Sequence, residues 1–328
     1  MPCQPFTKTL LLFVFAVTSF CVHAQLKVTL LGTGAPVPSI ERFGPGVLVE
    51  AGGQKMLFDC GRGVSQRIWQ LKIPLGQVFP LFLTHLHSDH TVGIPDVLLT
   101  GWIPAVYGRR NSPLQVFGPA GTKAMMENLV NAYEWDITTR NKEKNKVDSG
   151  AMVKAVDIEE GYVWEKDGVK VTPFTVSHAD FIDSALGYRI DYMGHSVVIS
   201  GDTRYTENLI KFAKGADLII HEVAAANEDT TKNTALVNQI LGFHSSPEDA
   251  GRAFEQVQPK LAVYTHFVLL TADPAVPPPT ANELLRRTQK TYKGEVQAGE
   301  DLMTIEIGEK INVIRYTPPN LKPIEVIK

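Results

Sequence analysis

Short apolar runs recur along this chain, and many stop at a residue able to carry chemistry. Residues 26–31, 46–50 and 55–58 read as strands, being brief, rich in branched or aromatic side chains and closed by turn residues. Gly32-Thr33-Gly34 follows the first and Asp59-Cys60-Gly61 the third. Residues 78–83, 169–175, 197–200, 261–265 and 302–307 continue the strand pattern. Helical spacing falls over 65–71, 92–100, 120–134, 207–213 and 246–257, the last opened by Ser246 and Glu248 as N-terminal signals. The two patterns interleave without a linker-like break. The expectation is a single α/β domain over residues 25–328, with two sheets inside and helices outside. The proline-rich stretch 274–279 is its longest expected excursion.

The first 24 residues do not fit that pattern. Lys8 precedes an apolar run over 10–17, and Val22-His23-Ala24 has the small-x-small form of a cleavage site. This is the arrangement of a secretory signal peptide, so the expected mature protein is exported, periplasmic or secreted, with no membrane attachment after cleavage. Phe20 is too bulky for Cys21 to sit in a lipoprotein box. Cys3 and Cys21 would leave with the signal, and Cys60 alone cannot form an intrachain disulfide. The chain carries 32 Lys and Arg against 35 Asp and Glu, a formal net charge of −3. Its basic clusters, Arg109-Arg110 and the mixed stretch 140–146, are short. That balance argues against a nucleic-acid partner, which calls for clustered cations.

The densest chemistry lies in Thr84-His85-Leu86-His87-Ser88-Asp89-His90, directly after the apolar run 78–83. Imidazoles beside a carboxylate suit zinc and related divalent ions. A core buries one histidine at little cost but not three, since each needs a hydrogen-bonding partner. Other metal-type residues appear where further apolar runs give out: His178 after 174–177, Asp202 after 197–201, His221-Glu222 after 217–220 and His266 after 261–265. Sites in layered α/β folds are assembled on such strand ends. His221 is expected to support a ligand from behind, and His195, in a Gly-His turn, to face solvent.

Together these residues resemble the metal motifs of the metallo-β-lactamase superfamily, and more closely its tRNase Z-like branch. Ser200-Gly201-Asp202-Thr203-Arg204, His221-Glu222, His244-Ser245-Ser246 and Leu114-Gln115-Val116-Phe117-Gly118-Pro119 carry the closer likeness, which runs from about Leu26 to His266. The resemblance implies an αββα sandwich with a dinuclear zinc site at one edge. It implies that His85, His87 and His178 hold one Zn2+, that Asp89, His90 and His266 hold the other, that Asp202 bridges them, and that Asp59 buttresses the ligand loop. It further implies His244 as proton donor to the leaving oxygen and Glu222 as the carboxylate that orients it.

Family likeness leaves the substrate open. The branch includes tRNA-processing nucleases, phosphodiesterases and zinc-dependent arylsulfatases. An exported protein meets no precursor tRNA, and the long basic arm with which those nucleases grip tRNA is not evident between His90 and His178. That interval instead holds Trp102, Tyr133 and Trp135, candidates to line an aryl pocket. With its signal peptide and Asp96-Val97-Leu98-Leu99-Thr100-Gly101-Trp102, the whole chain looks like the bacterial arylsulfatases of this superfamily. The formylglycine motif of other sulfatases, Cys/Ser-x-Pro-x-Arg, is absent. The leading expectation is zinc-dependent hydrolysis of an aryl sulfate, a small-molecule partner, with no nucleic acid bound and a homodimer possible. A cyclic-nucleotide or other phosphodiesterase is the alternative, ahead of a tRNase Z-type endonuclease or a lactonase.

Overall fold

The computed structural model describes residues 26–143, 148–182, 184–227, 234–273 and 275–318. The expected signal peptide and Pro274 lie outside these described residues. Strands β1 (Leu26–Gly32), β2 (Gly46–Ala51) and β3 (Gln54–Phe58) form an antiparallel meander. It continues in parallel through β4 (Leu81–Phe82), β5 (Leu114–Gly118) and β6 (Val153–Asp157). A second sheet repeats that division. Strands β7 (Trp164–Lys166), β8 (Val169–Thr175), β9 (Leu186–Tyr192) and β10 (His195–Ile199) pair antiparallel. Strands β11 (Leu218–Ala226), β12 (Leu261–Leu270) and β13 (Val296–Ala298) extend it in parallel. The chain then returns to the first sheet, where β14 (Thr304–Ile307) joins β1 and β15 (Ile311–Ile314) joins β14.

The period-two alternation of strands sorts side chains between layers. Val47, Val49, Met56 and Phe58 point into a core shared with Val171, Ile190, Val197 and Ile220 of the opposite sheet. Their neighbours Leu48 and Leu57 point outward, against Val64 and Ile68 of α1 (Val64–Gln70). After the short α2 (Ser88–Thr91), that outer layer is completed by α3 (Ile94–Gly101) and α4 (Thr122–Ala132). Helix α5 (Glu134–Glu143) follows α4 and buries no residue. Beyond the second sheet, α6 (Glu207–Ala213), α7 (Ala235–Leu241), α8 (Pro247–Val257) and α9 (Ala281–Thr288) form the other cover, with Phe254 and Leu284 fully buried. The result is the expected four-layered αββα sandwich.

Several elements differ from the expected ones for local reasons. Only Leu81 and Phe82 of the run 78–83 pair as a strand, because Pro80 offers no amide to the ladder. Helix α3 starts at Ile94 rather than Val92, with Pro95 in its first turn. The segment 120–134 divides into α4 and α5. Strands β11 and β12 run six and five residues past their expected ends, so that His221, Glu222 and His266 lie within strands.

Candidate metal centre

The loop after β4 is tied across the gap between the sheets at the end where the donors gather. Tyr188 of β9 donates through its hydroxyl to the Leu83 carbonyl at 2.6 Å, and the Leu186 amide donates to the Thr84 carbonyl at 2.8 Å. His85 and His87 follow on this loop, and Asp89 and His90 on α2. His178 arrives from the loop after β8 and Asp202 from the turn after β10. That turn requires glycine: Gly201 has φ +61°, and a Cβ there would sit 2.6 Å from the Leu186 carbonyl oxygen. His266 comes from a bulge. Glu222 pairs with Thr265 but Val223 pairs with Phe267, so His266, at φ +44°, is an extra residue swung out of the ladder.

These donors converge in two groups around one carboxylate. On the first side, His85 Nε2 lies 2.9 Å from His87 Nδ1, which lies 3.4 Å from His178 Nε2. On the second, Asp89 Oδ2 lies 3.2 Å from His266 Nε2 and 3.5 Å from His90 Nε2. Asp202 stands between them. Its Oδ2 is 3.9 Å from both His85 Nε2 and His178 Nε2 and 3.4 Å from His266 Nε2, while Oδ1 is 3.4 Å from His90 Nε2.

The donor set fits a metal on three counts. Donors at about 2.0–2.1 Å around tetrahedral zinc stand roughly 3.3 Å from one another, close to the separations within each group. His90 Nε2 and Asp202 Oδ1 are buried and make no well-aligned hydrogen bond, a costly state unless a cation completes them. Finally, the opposite ring nitrogens of His85, His90 and His178 are occupied, which turns their free ones inward. His90 Nδ1 donates to Asp59 Oδ2 at 2.8 Å, and His178 Nδ1 donates to the Phe243 carbonyl at 2.9 Å. His85 Nδ1 meets the Thr84 hydroxyl at 3.0 Å, which itself donates to Asp59 at 2.9 Å. Asp59 thus braces a histidine of each group.

Charge differs between the groups. Burial holds the His85, His87 and His178 imidazoles below their ordinary range, in the neutral form that ligates. Burial acts the same way on His90, but Asp202 and Asp59 outweigh it and hold that ring well above its ordinary value. Burial disfavours the Asp202 carboxylate, yet His266 and His90 hold it well below the usual range.

Beside the donors, His244 Nδ1 meets Glu222 Oε1 at 3.1 Å and lies 3.9 Å from Asp202 Oδ2. Glu222 Oε1 also accepts from the Thr203 and Ser245 amides at 3.0 and 3.2 Å. Burial lowers the proton affinity of His244, but Glu222 and then Asp202 override it and push its pKa up to about 9. Strand alternation separates Glu222 from its neighbour. Glu222 shares the inward face of Ile220, whereas His221 shares the outward face of Ile219 and packs against Phe254 of α8. His221 therefore does not support the donor cluster as expected. His195 opens β10 half-buried, 3.5 Å from Asp217, rather than standing free in a turn.

A cleft of about 430 Å³ opens over His87, Asp89, His178, Asp202, His244 and His266. Its walls are mainly apolar, with Val37, Ile240, Phe243, Phe267, Leu269 and Leu270 among them. Trp102, Tyr133 and Trp135, the expected aryl lining, do not reach it: Trp102 is buried at the end of α3, and Trp135 is 78% exposed on α5. The observed lining went unread in the sequence because its residues come from separated segments with ordinary core periodicity.

Residues 54–267 match the β-lactamase superfamily domain. The chain is 33% identical over 283 residues to a ribonuclease Z of Mycolicibacterium gilvum, covering 86% of this chain and 96% of that protein. It is 34% identical to a ribonuclease Z of Mycobacterium avium, covering 86% and 99%. Among solved structures it superposes on the metallo-β-lactamase fold protein YhfI of Bacillus subtilis with a TM-score of 0.66 at 19% identity, covering 86% and 99%. The short form of human tRNase Z superposes with a TM-score of 0.59 at 23% identity, covering 85% and 98%. These relatives overturn the expected arylsulfatase and, with it, the aryl sulfate partner and the exclusion of nucleic acid. The charge argument rested on net charge and on basic runs along the chain, which do not describe the potential inside a single cleft. The chain belongs to the β-lactamase superfamily of metal-dependent hydrolases, with ribonuclease Z proteins as its relatives.

Proposed function

We propose that this protein is a ribonuclease of the RNase Z type, hydrolysing a phosphodiester bond of a tRNA-like substrate. The observation that carries the reading is relatedness to a ribonuclease Z along 96% of that protein's length, in a chain that retains a full set of metal donors. In this reading His85, His87 and His178 hold one Zn2+, Asp89, His90 and His266 hold a second, and Asp202 serves both. Divalent ions there supply Lewis acidity to the phosphoryl group and to the attacking water. The chain supplies the rest. As the new P–O bond forms and the old one breaks, the leaving oxygen needs a proton. His244 borders the cleft, and its Nδ1 is engaged by Glu222, which fixes the ring's orientation. That arrangement suits His244 to deliver the proton. The apolar walls exclude competing water from the reacting groups.

Zinc-loaded protein incubated with a precursor tRNA and, separately, with nitrophenyl sulfate tests the proposal. The expected result is a discrete RNA cleavage that stops when metal is chelated. Intact precursor after prolonged incubation with protein of verified metal content would overturn it.

A further inference from the structure

The wall of the cleft carries an aromatic shelf that begins at a candidate metal ligand. The Phe243 ring lies 6.4 Å from the His178 ring, nearly perpendicular to it. Phe181 stands on Phe243 in turn, centroids 5.3 Å apart at 90°. Phe181 is 68% exposed although a large apolar ring gains by burial. Phe181 stands just outside the lining, of which Phe243 is part, as is Val37, 72% exposed. An exposed ring set edge-on against an aromatic residue of the cleft wall offers an apolar contact surface beside the cleft.

The charges of the cleft narrow what that surface receives. Histidines aside, Arg42 is the one cationic side chain among the described lining residues. Its guanidinium is committed to the protein: Nη1 donates to the Thr33 hydroxyl at 2.6 Å and to the Gly299 carbonyl at 2.8 Å, while its plane covers Phe267 at 4.1 Å. A polyanion is therefore not gripped here by a row of cations along its backbone. The metal donors address one phosphate, and the surface beside them is aromatic. A nucleotide with its base unstacked from its neighbours presents that combination, a phosphate followed by a flat π face.

We infer that Phe243 and Phe181 form a seat for an unstacked nucleobase adjoining the scissile phosphodiester, an inference that rests on the nuclease reading above. The hydrolysed nucleotide must then be single-stranded, and recognition of its base is by stacking, tolerant of base identity. Aromatic stacking of this kind is worth about 5- to 150-fold in affinity per base.

The test uses full-length, metal-loaded protein and two measurements. Calorimetry compares binding of a nucleoside 5′-monophosphate with ribose 5-phosphate, and kinetics compare a single-stranded oligoribonucleotide with one made abasic beside the cleavage site. The base-bearing ligand should win by at least about fivefold in Kd and in KM. In Phe181→Ala and Phe243→Leu that ratio should fall toward one, further for Phe243→Leu. The exposed position of Phe181 keeps the first variant informative should the second fold poorly. Equal binding of nucleoside monophosphate and ribose 5-phosphate would overturn the seat. So would RNA cleavage with no penalty for the abasic site, which would leave the nuclease reading intact. A phenylalanine-dependent preference for the nucleotide without any RNA cleavage would uphold the seat and sink the nuclease reading.

Discussion

The two donor groups that flank Asp202 are built differently. The first is three imidazoles, held neutral by burial, and one of them, His87, reaches the surface. The second contains the Asp89 carboxylate, and its His90 is 1% exposed and bonded directly to a further carboxylate, Asp59. On the first side Asp59 acts only through the Thr84 hydroxyl. A divalent ion on the second side would therefore meet more compensating negative charge. Two donor groups around one carboxylate thus differ, one richer in negative charge, the other made of neutral imidazoles with one ring exposed.

The most damaging change should be Asp202→Ala, because it removes the carboxylate that lies 3.4–3.9 Å from histidines of both sides. Metal content should fall on both, and hydrolysis should disappear with it. Elemental analysis alongside activity decides the matter. Full activity with one metal retained would mean that the two sides do not depend on a shared bridge.

Next in size is His244→Ala. His244 neighbours both groups, 5.0 Å ring to ring from His178 and 5.8 Å from His266, yet in the proposed assignment it ligates neither. Its removal should leave metal content unchanged and slow hydrolysis by about 10²–10⁴-fold, the usual worth of a general acid. The loss should be largest for substrates with basic leaving groups. A variant that also loses metal would make His244 a ligand and redraw both sides.

How much of this could be read in the sequence depended on distance along the chain. His85, His87, Asp89 and His90 fall within six residues and announce themselves. His178, Asp202 and His266 were found because each follows an apolar run. The run before His266 does not end there, however: the strand continues to Leu270 and a bulge expels the histidine. A bulge leaves no mark in apolar periodicity, so the residue was found for an incomplete reason. The roles of His221 and Glu222 follow from strand alternation once β11 is seen to run through them. Helix α5 was not anticipated because it buries nothing and so carries no apolar stripe. The fold depends on local patterns and was largely legible. The substrate depends on a cleft whose wall is gathered from Val37 to Leu270, and Trp102, Tyr133 and Trp135, the aromatics that stand out in the sequence, lie outside it.

The finest test of the asymmetry is Asp59→Asn combined with timed chelation. In the wild type a chelator should remove one equivalent of metal ahead of the other, the early phase leaving through the exposed His87 side. An amide in place of Asp59 keeps the size of the side chain and the acceptor oxygen but removes the charge. Only one of its terminal atoms accepts, where the carboxylate accepts from the Thr84 amide, the Thr84 hydroxyl and His90. His90 depends on Asp59 directly and His85 only through a hydroxyl, so the late phase should accelerate more than the early one. Removing such a supporting partner costs about 10–100-fold in metal affinity, and most of that should fall on the His90 side. Equal acceleration of both phases would mean that the Thr84 relay carries as much as the direct bond. A single phase in the wild type would abolish the distinction between an open side and a shielded one.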